Sequence, residues 1–347
     1  MKSKLMTLLF LPLIFQCQFT HADSDDSNIN YLKDPSRIES IAGGFYEGRF
    51  SDGTPFQMTL PYSTSDLRAS YQYPRKFTGE TIGFENVFFK GDSFKLSKSY
   101  TSSQSNNGIN EEFVGKLSKD KKSASGIWTQ IIGNKKKNLN FSMERLILYK
   151  HISVTQKNVD TSNHNPDNSE DSDQNPSFTF DAIFPILQDS KIQETVLKDA
   201  SICSYDQECS NNITIEEDYN NLLTLKSESW GQAIGAPHGY DSFRIYHFLT
   251  NSGTSREIFL NYFLKNSPTC LAKLSRLITN ELEEQEISGA KDFKLEDYKT
   301  MDFLASPLGL EFDFNPYEVG SYVEGEPSVF ISKKQLRDCL IYLPKTK

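Results

Sequence analysis

Histidine, cysteine, serine and paired carboxylates carry most hydrolytic and metal chemistry, and in these 347 residues their spacing supports little of it. Beyond Ala22 four histidines remain, His151, His164, His238 and His247. None belongs to an HExxH or H-x-x-x-H pattern, so the usual zinc hydrolase and metal-dependent deacetylase sites are missing. No G-x-S-x-G elbow, P-loop or dinucleotide fingerprint occurs. Ser118-Lys119-Asp120-Lys121 fits S-x-x-K, yet it lies in a lysine-rich turn without a companion motif and reads as a turn. Glu311 and Asp313 stand two apart on a strand-like run and project to one side. Glycosidic cleavage needs two carboxyls that face each other across a bond in different environments. With Leu310, Phe312 and Phe314 on the opposite face, this pair reads instead as the solvated side of an amphipathic strand. His238, in WGQAIGAPHGYDSF, sits where Gly235, Pro237 and Gly239 bend the backbone, a setting in which a histidine usually hydrogen-bonds its own loop. No catalytic residue, metal site or cofactor follows from these residues.

The elements that would position a site fall into unlike halves. Residues 1–22 read as a secretory signal: Lys2 and Lys4, an apolar run from Leu5 to Phe15, then Thr20-His21-Ala22. That run is too short to span a bilayer, and no second run of spanning length follows, so the expected location is periplasmic or secreted with no membrane span. Residues 23–40 read as a flexible N-terminus. Residues 41–150 alternate short aromatic or β-branched runs with turn signals such as SDGT, KGDS and IGNKKK. This predicts an all-β domain, an antiparallel meander forming a barrel or a sandwich. Residues 151–178, rich in Asn, Asp and Ser, read as an acidic disordered linker. Residues 179–347 predict an α+β domain. Ser267 and Pro268 start a helix carrying Leu271, Leu274, Ile278 and Leu282, and Ser332 to Gln335 form a capping box for a second. Strands are expected at 222–230, 240–249, 308–314 and 328–331.

Four cysteines remain once the signal is set aside, Cys203, Cys209, Cys270 and Cys339. An even count in an exported chain argues for two disulfides, with three connectivities open. Cys203 and Cys209 share a polar turn while Cys270 and Cys339 sit on apolar flanks of the two helices, which favours local pairing. Charge is uneven too. Residues 41–150 hold sixteen Lys/Arg against ten Asp/Glu, a net of +6, and the first forty residues net −1. The formal total of −9 therefore leaves −14 for the rest. An acidic rear half disfavours nucleic acid and anionic membrane surfaces, and favours a basic protein partner. Lys119, Lys121 and Lys122, and Lys135 to Lys137, read as exposed turns, with anion binding as the lesser alternative.

Three pieces of the rear half, WGQAIGAPHGY, FLTNSGTSREIFLNYFL and GLEFDFNPYEVGSYVEGEPSVFIS, resemble the C-terminal domain of RsiV-like anti-sigma factors, a domain also found in PdaC-type peptidoglycan deacetylases. Pro237 interrupts the family's Ala-His, and the resemblance covers about residues 180–343. It implies an α+β recognition domain that binds lysozyme in the anti-sigma proteins and is an accessory in the deacetylases; it brings no catalytic residue. The expected function is thus an exported, non-catalytic protein that recognises lysozyme or a related muramidase. The alternative is an envelope module that binds peptidoglycan or another saccharide through the front aromatic strands and Trp128.

The bend after Phe314 is the expected contact. Asn315-Pro316 stops the strand, Gly320 and Gly325 permit unusual backbone angles, and Tyr317 and Tyr322 offer amphipathic surface at low entropic cost. Glu318 and Glu324 would meet a basic partner, with His238 as a further ligand-binding candidate. The competing reading folds one or both tyrosines inward to buttress the hairpin.

Overall fold

The computed structural model describes residues 31–62, 67–72, 82–101, 108–156, 178–200, 208–219, 221–232, 238–251, 254–295 and 301–344. The expected signal, Cys203, His164, Pro237 and residues 157–177 of the expected linker lie outside these.

The front half is β1 (Ile38–Phe50), β2 (Pro55–Pro61), β3 (Ser70–Gln72), β4 (Ile82–Gly83), β5 (Asn86–Lys90), β6 (Ser93–Thr101), β7 (Gly108–Leu117), β8 (Ser123–Ile132) and β9 (Lys135–Gln156). They pair antiparallel in the spatial order β5-β6-β7-β8-β9-β1-β2-β3-β4. The sheet curls around an aromatic core that includes Phe56, Phe94, Phe113, Trp128 and Phe141, because alternate residues of each strand point inward. Among the described residues no ladder joins β4 to β5, so the expected barrel does not close. Trp128 lies in this core against Phe50 and Phe113, and its burial corrects its expected role as a saccharide platform.

The rear half adds β10 (Phe178–Ile186), β11 (Glu208–Tyr219), β12 (Leu222–Gln232), β13 (Tyr240–Asn251) and β14 (Thr254–Ile258) to the same sheet, with the helix α1 (Ser190–Ala200) connecting β10 to β11. Next come α2 (Leu260–Phe263), α3 (Pro268–Glu284) and a separate three-stranded sheet of β15 (Phe303–Ser306), β16 (Gly309–Asp313) and β17 (Ser328–Ser332), ending in α4 (Lys333–Leu336). The four strands expected here all appear, with ends shifted by one to two residues. In α3, Ser267 Oγ accepts the Cys270 N–H at 3.3 Å, and Cys270, Leu274, Ile278 and Leu282 form the buried stripe. Cys270 thus takes the place in that stripe expected of Leu271.

Two boundaries move. Residues 38–40, expected to be flexible, open β1, and residues 151–156, expected to begin a linker, complete β9. Both segments are held by ladders: β9 pairs with β1 on one side and, from Leu148 to Gln156, with β10 on the other. His151, expected to have no fixed geometry, sits 3.1 Å from Asp181 through Nε2. A core built from Phe45, Tyr149, Ile152, Phe180, Ile213 and Leu225 joins front and rear strands under α1. Gln57 of β2 adds a polar tie, donating to Asp218 O at 2.8 Å and accepting from Asp218 N at 3.3 Å.

Cys270 and Cys339 are bonded to each other, as expected, and clamp α3 to the C-terminal segment. Cys209 is also disulfide-bonded. Its expected partner is the Cys203 left outside the described residues.

Candidate functional site

The candidate site is the β16–β17 connection, where it meets the start of β13. Three side chains from the small sheet and from β13 itself fix that meeting by tying one edge of β13 down. Asn315 accepts from Phe243 N at 2.7 Å and donates to Phe243 O at 3.2 Å. Asp302 accepts from Ile245 N at 2.6 Å. His247 Nε2 donates to Phe303 O at 2.8 Å while its Nδ1 lies 3.0 Å from the Thr224 hydroxyl. β14 pairs β13 only from His247 onward, so the Asn315 and Asp302 contacts satisfy backbone groups that the ladder leaves open. Burial raises the Asp302 carboxyl to about 7 and lowers His247 to about 4.

From that anchor the bend projects outward. Tyr317 adopts φ 69°, the left-handed region that costs a residue with a Cβ, and it is 59% exposed. Tyr322 stacks on the His238 ring with centroids 4.7 Å apart and planes 23° apart, and Tyr317 lies 5.5 Å beyond it. His238 Nδ1 lies 2.8 Å from Gly239 O; a carbonyl only accepts, so that nitrogen carries the proton. Gly239 has to be a glycine, since a Cβ there would meet the Trp230 ring at 2.5 Å. Val323, 90% exposed, caps the tip. The structure thus brings Tyr317, Tyr322 and His238 into one partly exposed aromatic row, and the inward-folded alternative does not hold for Tyr317.

The two glutamates behave differently from their expected roles. Glu324 is internally engaged: it accepts the N–H and Oγ–H of Ser321 and those of Ser288, all within 2.7 Å. These bonds, Ser321 first, lower its carboxyl to about 2. It pins the bend to the loop after α3 and has little left to offer a partner. Glu318, although its side chain is largely exposed, turns its carboxyl back to accept from Asn315 N at 3.0 Å, and desolvation raises its pKa.

Acidity near the bend comes from Asp313 together with Glu228, Asp241 and Glu326, three residues the sequence did not single out. Glu326 is raised by burial, and its electrostatic neighbours are Lys226, Glu228, Asp241 and Asp313. Lys226 pairs with Glu228 at 3.0 Å, leaving the carboxylates in excess. Glu311 and Asp313 share one side as expected, yet they are half-buried rather than freely solvated, and Glu311 accepts from Ser328 Oγ at 2.8 Å. Ser118 Oγ donates to Asp120 at 2.7 Å, which is turn chemistry. Among the described residues no group of three or more His, Cys, Asp or Glu could hold a metal, and no helix is long and apolar enough to cross a membrane.

Residues 262–334 match the family described as "Protein of unknown function (DUF3298)", a span from the end of α2 to the start of α4 that includes the whole bend. The chain carries a DUF3298 domain. No curated protein matches the chain. Among solved structures, a DUF3298-family protein from Bacteroides fragilis is similar at 13% identity and a TM-score of 0.39, over 57% of this chain and 95% of that one. A DUF3298-family protein from Pseudomonas aeruginosa is similar at 11% identity and 0.37, over 58% and 98%. The DUF3298 domain holds the bend, α3 and the small sheet, while His238 and the capped edge of β13 lie before it.

Proposed function

We propose that this chain is an exported, non-catalytic binding protein that captures a basic protein partner of the lysozyme or muramidase class, as sensor, decoy or inhibitor. The observation that carries this reading is the aromatic row His238–Tyr322–Tyr317, anchored through Asn315 and presented beside an excess of carboxylates. Tyrosines held on a rigid frame supply contact area without ordering cost, and carboxylates beside them attract a cationic surface.

Isothermal titration of the full chain with a basic lysozyme at low salt tests the reading. Binding is expected, weakening as added salt shortens the Debye length below about 8 Å. Tyr317→Ala and Tyr322→Ala are each expected to cost roughly tenfold or more. Absence of binding at low salt, or binding unchanged in both variants, removes the proposal.

A further inference from the structure

The outer face of β5–β9 is left without a role by the bend. On it Phe88, Lys95, Val114 and Ile127 lie opposite one another across four strands and form one straight row. Three of the four are apolar and well exposed, Phe88 at 62%, Val114 at 46% and Ile127 at 49%. The next row carries Lys90 and Lys116, both solvent-accessible, and the far margin carries Lys136, expected in an exposed turn and found instead on β9. Across these rows the one carboxylate is Glu112, already bound to Lys95 at 2.6 Å. Isolated apolar side chains are ordinary on a protein surface; three aligned in a row among lysines are not.

The geometry points to this face as a peripheral docking surface for an anionic phospholipid bilayer. Lysine interleaved with apolar side chains is unfavourable for a protein interface, whose core is depleted in lysine. It fits a headgroup layer, where the ammonium groups meet phosphates and the apolar groups reach the acyl boundary. The positive balance of residues 41–150 adds attraction of the same sign, while the acidic rear half opposes it, so the attraction belongs to this face and not to the net charge of the chain. Docked in this way, the front sheet would hold the protein at a membrane surface independently of anything the bend captures.

Flotation with vesicles of phosphatidylcholine mixed with phosphatidylglycerol, compared with phosphatidylcholine alone, tests this on the full chain. The full chain is expected to float with the anionic vesicles at low salt and to be released at high salt, where the Debye length falls toward about 3 Å. Lys90→Ser with Lys116→Ser is expected to weaken binding about 30-fold, roughly fivefold per lysine. Phe88→Ser with Val114→Ser is expected to weaken it at every salt concentration. All these positions are solvent-accessible, so unchanged thermal unfolding checks that the variants fold. The proposal is overturned if the chain does not float at low salt, or if it binds purified polysaccharide and not vesicles. It is equally overturned if both double variants float as well as the parent, which would assign binding to the apolar run Leu5–Phe15 that all three share. Lysozyme binding by the same variants should stay intact, so failure here leaves the bend reading untouched.

Discussion

Glu324 and Tyr317 show how differently two residues of one loop can act. Glu324 makes no outward contact that the bend needs, yet its four accepted hydrogen bonds close the loop on itself. Glu324→Gln should therefore loosen the loop and weaken partner binding at neutral pH without touching the partner. Its carboxyl is lowered from 4.5 to about 2, so its contribution is complete above the unfolded value and is lost as pH falls through the folded one. Binding measured from about pH 5 down to about pH 2.5 should weaken in the parent, while the Gln variant should be weak throughout. Glu324 is set apart by its hydrogen bonds to Ser288 and Ser321, and a sequence does not show which side chains will meet. Tyr, Glu and Gly at these spacings mark the bend, and nothing in the spacing tells which glutamate the loop serines engage. His238 is legible as a bent-loop residue and Tyr322 as a residue of the bend; the stacking of one on the other, across a long stretch of chain, is not.

At the level of elements, the most legible pieces are those with local chemistry. Ser267-Pro268 and the apolar repeat after it define α3, and the Ser332–Gln335 box defines the start of α4. α1 leaves little mark in the sequence because its buried stripe is only Ile192, Val196 and Ala200, and no proline or glycine brackets it. The parallel pairing of β10 with β11 across that helix is long-range and leaves no local mark either. The Cys270–Cys339 bond ties α3 to the chain end over a separation of 69 residues. In the loop-entropy description, Cys270→Ser with Cys339→Ser should cost about 4 kcal/mol, read as a fall in denaturant midpoint with a steeper slope, because the unfolded chain without the cross-link exposes more surface. Titration with lysozyme on that variant should show the bend weakened along with the small sheet it belongs to.

For the molecule as a whole, buried titratable groups set an uneven pH profile. Glu111, inside the front sheet and accepting from Gln130 at 2.6 Å, is raised to about 7 by burial, and Asp302 is raised to about the same value. A carboxyl with a raised folded value contributes most below its unfolded value near 4 and loses that contribution as pH climbs through about 7. His247 runs the other way: lowered to about 4, it favours the folded state above 6.5 and withdraws that support as pH drops through 4. Thermal unfolding should thus peak in mildly acidic buffer. Glu111→Gln should remove part of the decline toward alkaline pH, a gain on the order of 2 kcal/mol there. A Gln variant that tracks the parent at every pH would remove Glu111 from this account.

β9 belongs to both halves at once, since nine consecutive residue pairs from Leu148 to Gln156 bind it to β10 while its other flank stays zipped to β1. Severing the covalent chain anywhere between Gln156 and Phe178 would therefore yield two polypeptides that still elute as a single particle. They should part company in urea, and a protease nick at that point would be invisible to native chromatography while plain on a denaturing gel.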